Sequence, residues 1–241
     1  MGLLGVVGLL LHTTAAAAAP IPLTVACAAN ASAPERYAAE ELARYLRSII
    51  ATTTPGGATV ALVNATRATA AKPHLAVGYG ASRLLGASAT SFVGLGQEGY
   101  VLLPFGDSLA LSGGNGAPRG TLYSVNEFLE SLGVHFVAPK NHAAGVTLLP
   151  KELPPSLPAL RPRYVPKLEY RQTFGFELIG APDFNVHLRL NKGRFNNPVP
   201  ELDKAHGGVY PIYAKQGQGA GGKASISHTQ TSSHFCTFWA R

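Results

Sequence analysis

The feature that most constrains the fold is the stretch of residues 99–139, where a hairpin, a glycine-rich turn and a helix follow one another directly. Two apolar segments, YVLL and SLALS, flank the residues PFGD, whose Gly and Asp favour a tight connection and so predict an antiparallel hairpin. A helix is predicted because apolar side chains recur at helical spacing, at Leu122, Val125, Leu129 and Leu132. Gly133 suits a left-handed helix end, and the apolar residues 134–137 predict a buried strand.

The glycine-rich turn, GGNG at residues 113–116, has two interpretations. Amide groups of a glycine turn at a helix N-terminus can bind phosphate, which would make this a nucleotide-binding α/β protein. The spacing is not GxGxxG, however, and Pro118 removes an N–H group where a phosphate would need one. A plain tight connection is therefore the favoured interpretation.

The preceding residues predict a strand at 23–27 and a long amphipathic helix after it. Ser32 and Glu35 have the spacing of a capping box, in which each side chain satisfies an amide of the other residue. Further strands are predicted at 59–63 and 74–79, followed by a short helix and the hairpin. This order predicts an α+β domain, a mixed β-sheet with two helices on one face, over residues 21–150.

Composition indicates a globular chain, with 46% hydrophobic and 14% charged residues. The net charge of +7 lies mostly in residues 161–241, which contain eleven Lys and Arg against five Asp and Glu. Such an excess can indicate an anionic partner, or a partial domain whose balancing acidic residues lie elsewhere. No basic run and no interleaving of basic and aromatic residues occurs, so we expect no nucleic-acid partner.

The N-terminus predicts secretion. Residues 1–19 combine an apolar segment with small residues that suit a cleavage site, which is typical of a signal peptide, and the segment is too short to span a membrane. Asn30 and Asn64 begin N-x-S/T triplets and are predicted glycosylation sites, with Asn64 in a polar loop. Cys27 and Cys236 could form one disulfide, although their spacing does not decide this.

A domain boundary is predicted at the Pro-rich linker, residues 151–166. After it, residues 167–176 have strand character, and a helix is predicted to begin near Asp183 and to continue to Asn191. From residue 196 the periodic pattern fades. Residues 167–241 therefore have the pattern of the start of a second domain.

Four segments together resemble a known family: PERYAAEELARYLRSI, LAVGYGASRLLG, GYVLLP and LALSGGNGAPRGTLYSVNEFLESLGVHFVAP. They resemble the non-catalytic N-terminal domain shared by alpha-glucuronidases and bacterial-type beta-hexosaminidases. The resemblance covers residues 21–150, and PRGTLYSVNEFLESLGV is its most specific part. It implies a sheet with two helices on one face, followed by a (β/α)8 barrel that hydrolyses glycosides.

The same resemblance implies that residues 167–241 are the incomplete start of such a TIM barrel, with PKLEYRQTF as its first strand. Arg171 then matches an arginine that contacts sugar hydroxyls, which makes it a candidate substrate-binding residue. A surface or inter-domain ion pair is the alternative role for Arg171. In the family the catalytic carboxylates lie on later strands, and a barrel needs roughly 200 residues or more.

No catalytic pair is assigned. Glycoside hydrolysis uses two carboxyl groups, or one with help from the substrate. After the linker the available carboxylates are Glu169, Glu177, Asp183, Glu201 and Asp203, and no strand signal places two of them together. His228 and His234 lack the spacing of a metal site, so no metal and no cofactor are expected.

Two functions remain open. The first is the accessory N-terminal domain of a secreted glycoside-hydrolase-like protein that degrades polysaccharide, with this chain itself lacking the catalytic residues and so inactive. The second is a stand-alone carbohydrate-binding or interaction module without hydrolase activity. Both predict a carbohydrate partner, and neither the sugar nor the oligomeric state follows from the sequence.

Overall fold

The structure, a computed structural model, describes residues 21–53, 58–66, 74–140, 147–152, 162–168, 171, 178, 181–191 and 204–208. Several predictions fall outside these residues. They are the signal peptide, most of the linker and of the first barrel strand, and the side chains of Glu169, Glu177, Glu201, Asp203, His228, His234 and Cys236.

The described residues form two sheets and four α-helices. The strands are β1 (Ile21–Ala28), β2 (Ala58–Ala65), β3 (Leu75–Val77), β4 (Tyr100–Phe105), β5 (Ser108–Gly113), β6 (His135–Phe136), β7 (Thr147–Leu148) and β8 (Arg163–Tyr164). The helices are α1 (Ala33–Thr53), α2 (Tyr79–Leu84), α3 (Arg119–Ser131) and α4 (Pro182–His187), with a 3-10 turn at Ala89–Phe92.

The main sheet has six strands in the order β2-β1-β3-β5-β4-β8. Strands β2, β1, β3 and β5 are mutually parallel, whereas β4 is antiparallel to both β5 and β8. The sheet is therefore mixed, which confirms the predicted α+β class and the predicted hairpin. Strand β8 comes from the end of the segment predicted as linker, where Tyr164 pairs with Tyr100.

The two long helices pack against each other and against the same face of the sheet. Leu109 and Leu111 of β5 lie in one core with Leu42 of α1 and Leu129 of α3, all nearly fully buried. Ala110, between the two leucines, belongs to a second cluster on the opposite face, as strand alternation requires. The predicted apolar faces of both helices are confirmed.

Helix α1 begins as the capping box predicts. The Ser32 amide donates to Glu35 Oε2 at 2.9 Å, so the carboxylate reaches back as expected. The Ser32 hydroxyl differs from the prediction, because it donates to the same oxygen at 2.7 Å. Glu35 also accepts from the Tyr79 amide at 3.1 Å, which ties the start of α1 to the start of α2.

The glycine-rich turn brings strand and helix backbones unusually close. A Cβ atom on Gly120 would lie 2.1 Å from the Gly99 carbonyl oxygen, and one on Gly113 would lie 2.4 Å from the Ala117 carbonyl oxygen. The Gly113 amide donates to Thr121 Oγ1 at 3.0 Å. Close packing of the backbones thus explains why glycine occupies these positions. This favours a plain tight connection over a phosphate-binding turn.

The prediction of a buried strand at residues 134–137 is wrong. Gly133 ends α3 in the left-handed conformation, with φ 91°, as expected. Of residues 134–137, only Val134 is buried, and the strand itself is limited to His135–Phe136. Strand β6 pairs with β7 in a separate two-stranded sheet, so His135 and Val137 remain exposed to solvent.

Candidate functional site

The outer side of α1 and α3 carries a row of polar side chains that bind residues of the chain beyond the linker. Asn126 of α3, for example, donates its side-chain amide to the Val186 carbonyl oxygen at 2.9 Å, and the contact is buried. Three groups of charged residues, described below, make the other contacts. We call this surface the helical docking face.

Glu98 is the centre of the first group. Its carboxylate is buried, forms an ion pair with Arg119, whose Nε lies 3.3 Å away, and accepts a hydrogen bond from Arg171 Nη2 at 2.6 Å. Asn191 Nδ2 donates to the same carboxylate at 3.0 Å. A buried carboxylate is stable only when it is paired and hydrogen-bonded, and Glu98 satisfies both conditions. It joins the loop before β4 to α3 and to the post-linker residues.

Arg171, the predicted substrate-binding residue, lies in this group with its guanidinium bound inside the chain. Nη2 also approaches the Tyr123 hydroxyl at 3.4 Å, Nε donates to the Arg189 carbonyl oxygen at 2.7 Å, and Nη1 donates to the Leu168 carbonyl oxygen at 2.6 Å. Arg171 and Glu98 thus form an ion pair within the chain. Contact with a sugar stays a prediction, since no ligand is present.

Arg119 completes the group from the first turn of α3. Its Nη2 donates to the carbonyl oxygens of Gly207, at 2.8 Å, and of Gly208. The buried Nη1 has no hydrogen-bond partner among the residues that the structure describes. Burial also raises the pKa of the neighbouring Tyr123 hydroxyl, so that this phenol stays protonated and can donate to Glu98 at 3.4 Å.

The second group is built on Arg189, which follows α4 with φ 57°, an unusual value for a residue other than glycine. Its guanidinium reaches Glu127 at 3.1 Å and Glu130 at 2.7 Å. The Tyr100 hydroxyl donates to Glu127 at 2.7 Å, and burial raises the pKa of Tyr100 well above its usual value. Glu127 and Glu130 of α3 therefore bind the turn that follows α4.

The third group pairs α1 with α4. His187 Nε2 lies 3.2 Å from Glu41 Oε1, and both side chains are buried. The His187 ring stacks on Phe136 with ring centroids 3.7 Å apart. Glu41 Oε1 also forms an ion pair with Nη2 of the partly exposed Arg44, at 3.0 Å. Helix α4 ends at His187, so the predicted continuation to Asn191 is wrong: a turn replaces it, with Arg189 in the left-handed region.

Asp183 extends the third group and was one of the possible catalytic carboxylates. It accepts from His206 Nε2 at 2.7 Å, from the Tyr37 hydroxyl at 2.8 Å and from Lys140 Nζ at 3.2 Å. The hydrogen bond from His206 is the main reason that the pKa of Asp183 lies well below its usual range, and those from Tyr37 and Lys140 add to it. A carboxyl group that stays ionised in this way is unsuited to act as a general acid near neutral pH.

A groove of about 200 Å³ opens beside this third group. Its floor is Tyr45 and His187, and the ion pair of Lys140 with Asp183 lies at its edge. The remaining walls come from the loop after β6, from β7 and from the start of α4. Ring surfaces next to exposed polar groups can hold a small polar ligand.

No cluster of three or more potential metal ligands occurs among the described residues. Cys27 is buried, and burial is the main cause that raises its pKa to about 11, so its thiol is protonated and unsuited to metal binding. Within the same part of the chain, no helix is both long and apolar enough to cross a membrane.

Both predicted glycosylation sites are exposed. Asn30 lies in the turn between β1 and α1. Asn64 was expected in a polar loop, and this is wrong: it is the second-last residue of β2, because the strand runs past the polar residue to Ala65. Thr66, the third residue of its triplet, follows the strand directly.

The comparisons with known proteins add no assignment: no family model, no curated protein and no solved structure matches this chain. Of the site residues, sequence reasoning identified Arg171 but missed its partner Glu98. One signal was present, since Glu98 is the only charged residue between Arg83 and Asp107.

Proposed function

We propose that this chain is the accessory N-terminal domain of a secreted glycoside-hydrolase-like protein, joined to the start of its catalytic barrel. The accessory domain provides the surface on which the first barrel segment docks. No catalytic pair is assigned among the described residues, so we expect this chain by itself to be inactive, and the whole protein to act on a polysaccharide or glycan.

The observation that carries this proposal is the burial of post-linker residues on the helical docking face. Val186, Leu190 and Asn191 are at most 8% exposed. Glu98, Glu127 and Glu130 each hold a cation or amide from residues 171–191. A domain joined to its neighbour only by a flexible tether would leave this face exposed to water. A domain that supports the barrel segment must instead bind that segment in one orientation.

The test is to read the transcript past the codon for Arg241 and to express both this chain and any longer product. Each protein is then assayed against aryl glycosides of glucuronic acid and of N-acetylhexosamines. We expect hydrolysis only by the longer product. Hydrolysis by this chain, or a transcript that stops at Arg241, would overturn the proposal.

The groove beside Asp183 favours the second candidate, a carbohydrate-binding module. Lys140 supplies a donor and Asp183 an acceptor for hydroxyl groups, and Tyr45 supplies a ring surface. Binding of this chain to a glycan array should then fall in a Lys140→Ala variant and stay unchanged in an Asn30→Gln variant. Equal binding by both variants, or none by the parent chain, would exclude the groove as the binding site.

A further inference from the structure

Strand β2 forms one edge of the main sheet, and its sequence leaves that edge unusually unprotected. It has eight residues, ATVALVNA, without a charge, a proline or a glycine. No strand pairs with its outer side in the part of the chain that the structure describes. Leu62 near its middle is 40% exposed, so apolar surface lies beside an edge that no described strand pairs.

An edge of this kind promotes pairing between molecules. Soluble proteins protect their edges by short strands, charges, prolines or bulges, because uncharged segments of high β propensity otherwise join edge to edge. The opposite edge of the sheet follows this rule, since β8 has two residues and one of them is Arg163. At β2, Arg47 donates to the Val60 carbonyl oxygen at 3.2 Å, which covers a single position.

A further feature that can protect this edge is the glycosylation triplet at the end of β2. Asn64 is exposed within the strand, and Thr66 follows the strand end. An N-linked glycan is large and strongly hydrated, so a glycan on an edge strand excludes a second strand sterically. Asn30, in the turn between β1 and α1, follows an interior strand and offers no such protection.

We propose that Asn64 carries an N-linked glycan that blocks the free edge of β2 and keeps the protein monomeric. The inference rests on the secretory part of the proposed function and is independent of hydrolysis. In the transfer, Asn64 Nδ2 loses a proton and bonds to the anomeric carbon of a lipid-diphosphate-linked oligosaccharide. The bond from that carbon to phosphate breaks, and the lipid diphosphate leaves.

The experiment expresses the full chain in a eukaryotic secretory host and maps glycans by mass spectrometry of peptides. Light scattering after size exclusion then measures self-association. We expect a glycan at Asn64 and a monomer. Asn64→Gln and Thr66→Ala should both lose the glycan and self-associate several-fold more, whereas Thr66→Ser, which keeps the triplet, should behave as the parent. Asn30→Gln is the matched control and should stay monomeric.

A rescue variant tests the edge mechanism itself. Adding Leu62→Lys to Asn64→Gln places a charge on the edge and should restore the monomer without a glycan. An unmodified Asn64 beside a modified Asn30 would overturn this inference alone, whereas the absence of glycan at both would also overturn the secretory part of the proposed function. Glycan-free variants that stay as monomeric as Asn30→Gln, or a rescue that fails, would overturn the protective role.

Discussion

Replacing Glu98 by alanine tests whether the docking face holds the post-linker residues. The substitution removes the ion-pair partner of Arg119 and the acceptor of Arg171 Nη2 and Asn191 Nδ2 in one step. The Glu98 side chain is 6% exposed, and those of Arg119 and Arg171 are 7% and 17% exposed. Glu98→Ala therefore leaves a buried arginine without its carboxylate.

Removing one partner of a buried ion pair costs about 3–5 kcal/mol, because the remaining charge stays desolvated. We expect the upper part of that range, since Arg119 already has one unpartnered nitrogen and cannot regain water without opening the interface. A domain is typically stable by about 5–15 kcal/mol, so the loss should be a large fraction of the total. Arg171→Ala should cost less, because Arg119 would still neutralise Glu98.

The assay is urea unfolding of the full chain, followed by far-ultraviolet circular dichroism, with the slope checked for two-state behaviour. Lys140→Ala is the matched control, because its ion pair with Asp183 is 66% and 34% exposed and should contribute less than about 1 kcal/mol. The double variant of Glu98 and Arg171 should reveal a coupling of about 0.5–3 kcal/mol. A loss from Glu98→Ala no larger than that from Lys140→Ala, or a coupling near zero, would refute the docking argument.

Three other predictions concern the core, the glycine contact and the acid range. Leu129→Ala should lower the free energy of unfolding in urea by about 2–5 kcal/mol, and a loss under about 0.5 kcal/mol would mean that the buried face of α3 is misassigned. Gly120→Ala should cost at least about 1–3 kcal/mol because its Cβ would collide with the Gly99 carbonyl oxygen, whereas Gly114→Ala has room and should unfold at nearly the parent midpoint. The pKa of Asp183 is lowered on folding, so its ionised form stabilises the protein above its unfolded pKa of about 4, and this contribution is lost as the pH falls further. Asp183→Asn should therefore lose stability at pH 6 and decline less steeply below pH 4, and parallel pH profiles would contradict this.

Much of the fold was predictable because it depends on local patterns. The spacing of Leu122 and Leu129 fixed the buried side of α3, and Gly133 fixed its end. The hairpin followed from a Gly-Asp turn between apolar segments. Each of these signals lies within a few residues, where backbone sterics and side-chain periodicity act directly. The failures, at residues 134–137 and at the loop predicted around Asn64, concern strands whose burial and length depend on distant partners.

The candidate site was far less predictable. Glu98 and Arg171 are 73 residues apart in sequence, and nothing in the local pattern of either one indicates the other. The same is true of Glu41 and His187, whose side chains meet between α1 and α4. Buried charges are tolerated only beside their partners, so their positions become interpretable when the chain has folded.

The sequence by itself thus determined the long helices, the hairpin, the apolar faces of the helices and the glycine that ends α3. Only the tertiary structure decided what the polar residues do. Local patterns encode which side of a helix is removed from water, because the hydrophobic effect depends on the apolar area that is buried and has no directional requirement. Ion pairs and hydrogen bonds depend on distances of a few ångströms between remote residues, and those distances exist only in the folded chain.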